Sequence, residues 1–137
     1  MTSKPKVRGG IVGSGFAANL HFEGIHRVYG ADVDLVGIFS PTPAHAGRFA
    51  EPRGLRTFAS LEALLDEVDV VHVCASPAAH EAIAVAALRR GVHAVVEKPL
   101  TGWFGDGGAD FHVARASMKR ALDGALASVD RMLDARG

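Results

Sequence analysis

The chain has a single cysteine, Cys74, among 137 residues. No internal disulfide is open to it, and a lone cysteine in an apolar stretch suits a reducing, cytoplasmic setting. Net charge is lacking too: 15 Lys plus Arg balance 15 Asp plus Glu, and no run of like charges occurs. That removes the electrostatic footing for a nucleic-acid or polyanion partner. No apolar run is long enough to span a bilayer, the longest lying near Ala82 to Leu88. The basic start, Met1 to Lys6, leads into no signal-peptide segment. A soluble protein with no membrane partner is expected. Also missing are a G-x-x-x-x-G-K-[ST] phosphate loop, a G-x-S-x-G nucleophile elbow and an H-E-x-x-H metal helix. His21 and His26 are five apart, a poor spacing for shared metal ligation on a helix, so no metal site is expected.

What is present is a chain 48% apolar, enough for one domain with a real core. Its pattern alternates strands and helices. Val7 to Val12 reads as a strand, Gly13-Ser14-Gly15 as a tight turn, and Phe16 to Val28 as an amphipathic helix with Ala17, Leu20, Ile25 and Val28 apolar. Asp32 to Phe39 is a second strand, followed by Ser40-Pro41-Thr42-Pro43 and a short helix to Ala50. Leu55 to Phe58 is a brief third strand, and Ser60 is placed to cap a helix over Leu61 to Glu67. Val68 to Cys74 is a β-branched strand. A helix from Ser76-Pro77 to Arg90, stopped by Gly91, leads to a last strand ending at Val96.

The strands near 70 and 95 are continuous apolar runs, as in a parallel sheet covered by helices on both faces. Residues 101–113 hold four glycines and three aromatics, and read as a loop. A helix is expected over 114–135, with Met118, Leu122, Leu126, Val129 and Leu133 as its apolar stripe. The fold class is therefore α/β: a Rossmann-type doubly wound parallel sheet, incomplete at its C-terminal end, with an amphipathic C-terminal helix. The expected division is a dinucleotide-binding domain over 1–100, a loop over 101–113 and a helix of the same domain over 114–137.

Four constellations carry chemistry. Gly13-Ser14-Gly15-Phe16-Ala17-Ala18 is a G-x-G-x-x-A between strand and helix. The first glycine permits the turn, the second admits a pyrophosphate, and the helix start favours its charge. At the end of the second strand, where an acid often holds a ribose, stands Ser40, followed by Pro41 and Thr42. Asp34 lies at the wrong end of that strand, about 20 Å from the position that matters. Serine repels no 2′-phosphate and Pro41 attracts none, so NAD and NADP both stay open.

After the fourth strand, Ala75, Ser76 and Pro77 offer a helix start to a ribose or phosphate. His80 in that first turn is either a neutral hydrogen-bonding contact to cofactor or substrate, or a surface histidine. His72 reads as a buried, hydrogen-bonded core residue. Last, Glu97-Lys98-Pro99 ends an apolar strand: a charged pair pointing into a ligand crevice, or a strand emerging into water.

Taken in order, the glycine turn, the Pro77/His80 spacing, the entry Gly91-Val92-His93-Ala94-Val95-Val96 and Glu97-Lys98-Pro99 resemble the N-terminal domain of the glucose–fructose oxidoreductase/inositol dehydrogenase (Gfo/Idh/MocA) family, over residues 7 to about 101. The resemblance implies that Lys98 lies beside the nicotinamide and the substrate hydroxyl that gives up hydride. It implies that Glu97 shapes the cofactor site and that the bond before Pro99 is cis. A lysine there, shed of water and beside a positive ring, can accept or relay a proton.

The expected function is NAD(P)-dependent hydride transfer between nicotinamide and a sugar, polyol or sugar derivative. The alternative is a non-catalytic nucleotide-binding module. The family's second, sheet-rich domain and the sheet's last strand have no counterpart in this sequence. The C-terminal helix is expected to expose its apolar stripe, which favours self-association.

Overall fold

The computed structural model describes residues 3–105 and 118–137. Strand β1 (Lys6–Val12) leads through the glycine turn to helix α1 (Phe16–Ile25), and β2 (Asp32–Phe39) to α2 (Pro43–Ala50). Then come β3 (Arg56–Thr57), α3 (Leu61–Leu65) and β4 (Val70–Val73). A 3₁₀ turn over Pro77–Ala79 precedes α4 (His80–Leu88), followed by β5 (His93–Val96) and α5 (Met118–Asp134). Every strand pair is parallel, in the order β3-β2-β1-β4-β5. This is the Rossmann-type α/β fold expected from the alternation. Residues 106–113 of the expected loop over 101–113, and the expected start of the last helix at 114, lie outside the described residues.

Alternation along the strands builds two cores. Val12, Val71 and Val73 join Leu64, Leu65, Ile83 and Ala87 on one face of the sheet. Ile11, Ile38 and Cys74 join Ala18, Ile25 and Phe49 on the other. Helices α1 and α2 therefore cover one face and α3 and α4 the other, so β1 and β4 are sandwiched. Local signals fall where physics puts them. Ser60 accepts a hydrogen bond from the Ala63 N–H at 3.1 Å, capping α3. Gly91 takes the left-handed φ of 73° that ends α4.

Two expectations are corrected. β5 is covered on one face only: it is the edge strand in the described sheet, and Val95 on its far side is 43% exposed. Helix α1 buries Ala18 and Ile25, while Leu20 and Val28 are exposed, because the helix ends at Ile25 and its inward face follows 18, 22 and 25. Helix α5 seats Ser128 and Met132 and turns Met118, Leu122, Leu126 and Leu133 outward. It packs on α4, where Arg131 forks onto Glu81. Gly124 on this helix meets the Trp103 ring, and a Cβ there would lie 2.6 Å from the indole. Small residues thus let α5 approach its neighbour, and the leucine stripe stays exposed as expected.

Candidate functional site

Parallel register sets four strand ends level. Val12 pairs with Phe39 and Val73, and Val73 with Val96. Backbone hydrogen bonds carry the alignment one residue further. Gly13 N–H donates to Phe39 O at 2.9 Å, Cys74 N–H to Val12 O at 2.8 Å, and Glu97 N–H to Val73 O at 3.1 Å. The glycine turn, Ser40, Ala75-Ser76 and Glu97-Lys98 therefore share the carboxyl edge of the sheet. β1 lies between β2 and β4, so the chain leaves it in opposite directions and a crevice opens there. Asp34 sits opposite Arg8, towards the other edge.

The two glycines of the turn differ in kind. Gly13 has φ 105°, and a Cβ on it would lie 2.4 Å from the Cys74 carbonyl oxygen. The fold itself requires that glycine. A Cβ on Gly15 would meet nothing within 4 Å. The open space lies outside the chain, as room for a ligand's approach would. Gly15 also starts α1 with no capping side chain and no acid in the first turn. The first N–H groups, led by Phe16 and Ala17, are left to an outside acceptor. A cavity of about 540 Å³ adjoins the turn, lined by Ser14, Gly15, Asn19, His45, Arg48 and Arg53. Arg53 is held by the Phe49 carbonyl at 2.8 Å and Asn19 Oδ1 at 2.5 Å. Positive charge thus stands beside the turn, from residues that spacing alone did not single out.

Ser40 is buried, while Pro41 and Thr42 are exposed before α2. Ser76 is exposed and its hydroxyl caps nothing. His80 departs from both expectations. It is 1% exposed, with Nδ1 at 2.9 Å from the Pro99 carbonyl and Nε2 at 3.1 Å from the Ala75 carbonyl. Each ring nitrogen faces a backbone oxygen, which only accepts, so a neutral ring donates to one of the two; either bond ties the imidazole to the Glu97-Lys98-Pro99 turn or to the start of α4, and buried there it offers nothing to the crevice. The 3₁₀ turn over Pro77–Ala79 swings it inward. Burial, then the Glu97 charge, pushes the Cys74 thiol up to about 12, which rules it out as a thiolate nucleophile.

The Lys98–Pro99 bond is cis, as the resemblance implied. Lys98 is exposed. Glu97 turns its carboxylate to the α1 side, where His21 Nε2 lies 3.0 Å from Oε1 and the Lys98 N–H donates to Oε2 at 3.1 Å. His21 Nδ1 lies 2.9 Å from His72 Nδ1. Burial, then the His21 charge, lowers the His72 ring to about 4. His72 is therefore hydrogen-bonded and half-buried rather than fully buried. Local spacing could not find this trio, because its members are 51 and 76 residues apart from His21. No group of three or more His, Cys, Asp or Glu suited to a metal occurs among the described residues.

A family described as oxidoreductases with an NAD-binding Rossmann fold matches residues 7–121. The chain belongs to that family. UDP-N-acetylglucosamine 3-dehydrogenase of Acidithiobacillus ferrooxidans is 35% identical over 95 residues, covering 69% of this chain and 29% of that protein. Inositol 2-dehydrogenase of Leifsonia xyli is 36% identical over 104 residues, covering 74% of this chain and 30% of that protein. Biliverdin reductase from Synechocystis, solved with biliverdin and NADP⁺, superposes with a TM-score of 0.63 at 36% identity, over 69% of this chain and 30% of that one. The chain thus spans about a third or less of these relatives' length. As a family member it carries an NAD-binding Rossmann domain. No described helix is long and apolar enough to cross a membrane.

Proposed function

We propose that this chain is the cofactor-binding part of a cytoplasmic dehydrogenase acting on a sugar, polyol or sugar derivative. The observation that carries the reading is the shared carboxyl edge: the Gly13–Gly15 turn and Lys98 stand on level strand ends across the crevice. The first turn of α1, with Ser14, Phe16 and Ala17, would hold the pyrophosphate. Ser40, Pro41 and Thr42 would border the adenosine ribose, and Ala75, Ser76 and Pro77 the nicotinamide side. The dinucleotide, when bound, supplies the hydride acceptor. Lys98 receives the proton of the substrate hydroxyl at its Nζ, or relays it onward. The relatives' names support a hydroxylated-ring substrate, as in UDP-N-acetylglucosamine and inositol. Their remaining length supports a second domain that builds the substrate wall. The outward leucines of α5 support self-association, which sedimentation of the purified chain would register as a dimer.

Titration of NADH and NADPH, followed by the reduced nicotinamide's own fluorescence, tests the reading. Both are needed because Ser40 bears no charge and Arg48 stands near the turn. Trp103 is a poor reporter, since its ring rests on α5. Binding that is lost in Gly15→Val and kept in Lys98→Met is expected. No binding at roughly millimolar cofactor would overturn the proposal. The alternative is a nucleotide-binding module without turnover. Cofactor binding without oxidation of any sugar or polyol by this chain would establish that module.

A further inference from the structure

Both oxygens of the Glu97 carboxylate are committed, one to His21 on α1 and one to the Lys98 backbone N–H. A carboxylate only accepts, so the His21 Nε2 must carry a proton whatever the ring's charge. If His21 is neutral, its Nδ1 holds a lone pair facing His72 Nδ1 at 2.9 Å. His72 must then donate from Nδ1. If His21 is charged, that one bond reverses and the bond to Glu97 does not. The two rings meet edge to face at 5.1 Å and 83°. The His21 and Glu97 side chains are only 17% and 25% exposed, so water competes weakly. The His21 bond, first among several causes, also holds the Glu97 carboxyl below its usual range.

We propose that His21 is a positioning residue: it clamps Glu97, and through Glu97 the backbone of Lys98, at the floor of the crevice, with His72 setting its tautomer. The role of Lys98 rests on the function proposed above; the clamp does not. Lys98 has no side-chain anchor of its own among the described residues, so the hydrogen bond at its N–H restrains where its exposed side chain departs. The trio lines one side of an apolar cleft of about 380 Å³, whose other walls include Leu20, Val28, Val70 and Val95.

Nitrogen-15 spectra of the histidine rings test the clamp in the unaltered chain. His21 should be protonated at Nε2, and His72 at Nδ1 when His21 is neutral, the form an isolated imidazole disfavours. His21→Leu should raise amide exchange at Lys98 about tenfold, the loss of one ordinary hydrogen bond, with exchange at Val12 and Val73 unchanged. His21→Gln should restore protection, because its amide N–H can take the place of Nε2–H. NADH should bind the Leu variant several-fold more weakly, while ADP-ribose, which lacks the nicotinamide, should bind it as before. A His21 proton found on Nδ1 alone, or Leu and Gln variants with equal Lys98 exchange, overturns the clamp. If His21→Leu fails to fold, the ring spectra and the Gln variant still decide. If the unaltered chain binds neither nucleotide, the proposed function falls and the exchange data still judge the clamp. NADH and ADP-ribose weakened equally by His21→Leu would make the role merely structural.

Discussion

Acidification should destabilise this fold through one ring, His72. Burial, aided by His21, lowers that ring from the ordinary 6.5 to about 4. The folded value lies below the unfolded one, so the unfolded chain binds more protons across this window. The stability is fully present above about pH 7, falls as pH drops through 6.5, and stops falling below about 4. At about pH 5 an unfolded imidazole is almost fully protonated, while the folded ring is protonated in about one molecule in ten. The difference is worth about 2 kcal/mol, a large share of a typical 5–15 kcal/mol total. Urea unfolding at steps from about pH 7.5 to about pH 5 would measure it. Carboxylates paired in the fold titrate mostly below that range, so histidines dominate the slope. His72→Asn keeps a donor where Nδ1–H stood and cannot titrate, and it should flatten the slope by about the same amount. Equal slopes in the two proteins, or a directly measured His72 midpoint near 6.5, would refute the reasoning.

The glycines of the turn should separate stability from binding. Gly13→Ala forces a Cβ against the Cys74 carbonyl at a φ of 105° and should cost more than about 2 kcal/mol, read as a lowered Tm. Gly15→Ala should leave stability within about half a kcal/mol of the original and weaken NADH binding; equal loss of stability in both variants would contradict the geometry. Ser60→Ala should cost about 1 kcal/mol by uncapping α3, with Ser60→Asp keeping most of it, as denaturant midpoints would show.

Short-range signals were legible wherever the physics is local. The second strand has the bounds its apolar run indicates, Asp32–Phe39, because β-branched and apolar residues stop where Ser40-Pro41 begins. The Ser60 cap, the Gly91 stop and the Gly13 turn follow from single-residue geometry. The helix faces were less legible. An apolar stripe says that a helix can bury one side, not that a neighbour is there: Leu20 on α1 and Val28 after it lie exposed, while α5 buries Ser128 and Met132 and keeps its leucines outward, as expected. The run at β5 looked two-sided because apolar residues occupy both faces, yet only the α4 side is covered.

The candidate site divides in the same way. Gly13, Ser14, Gly15, Ser40, Ser76, Glu97 and Lys98 could be named from the ends of their strands, since a parallel sheet gathers all carboxyl ends at one edge. His80 could not be placed: a 3₁₀ turn rather than a full helix start carries it inward to the Ala75 and Pro99 carbonyls. Nor could His21, His72 and Glu97 be joined, for their partnership depends on α1 crossing the sheet over β4 and on the register that levels β4 with β5. The sequence by itself determined the alternation, the glycine turn and the chemistry at each strand end, because these rest on backbone sterics and residue type. Tertiary structure alone decided which side chains touch, because distances between residues far apart in the chain are set by packing and register.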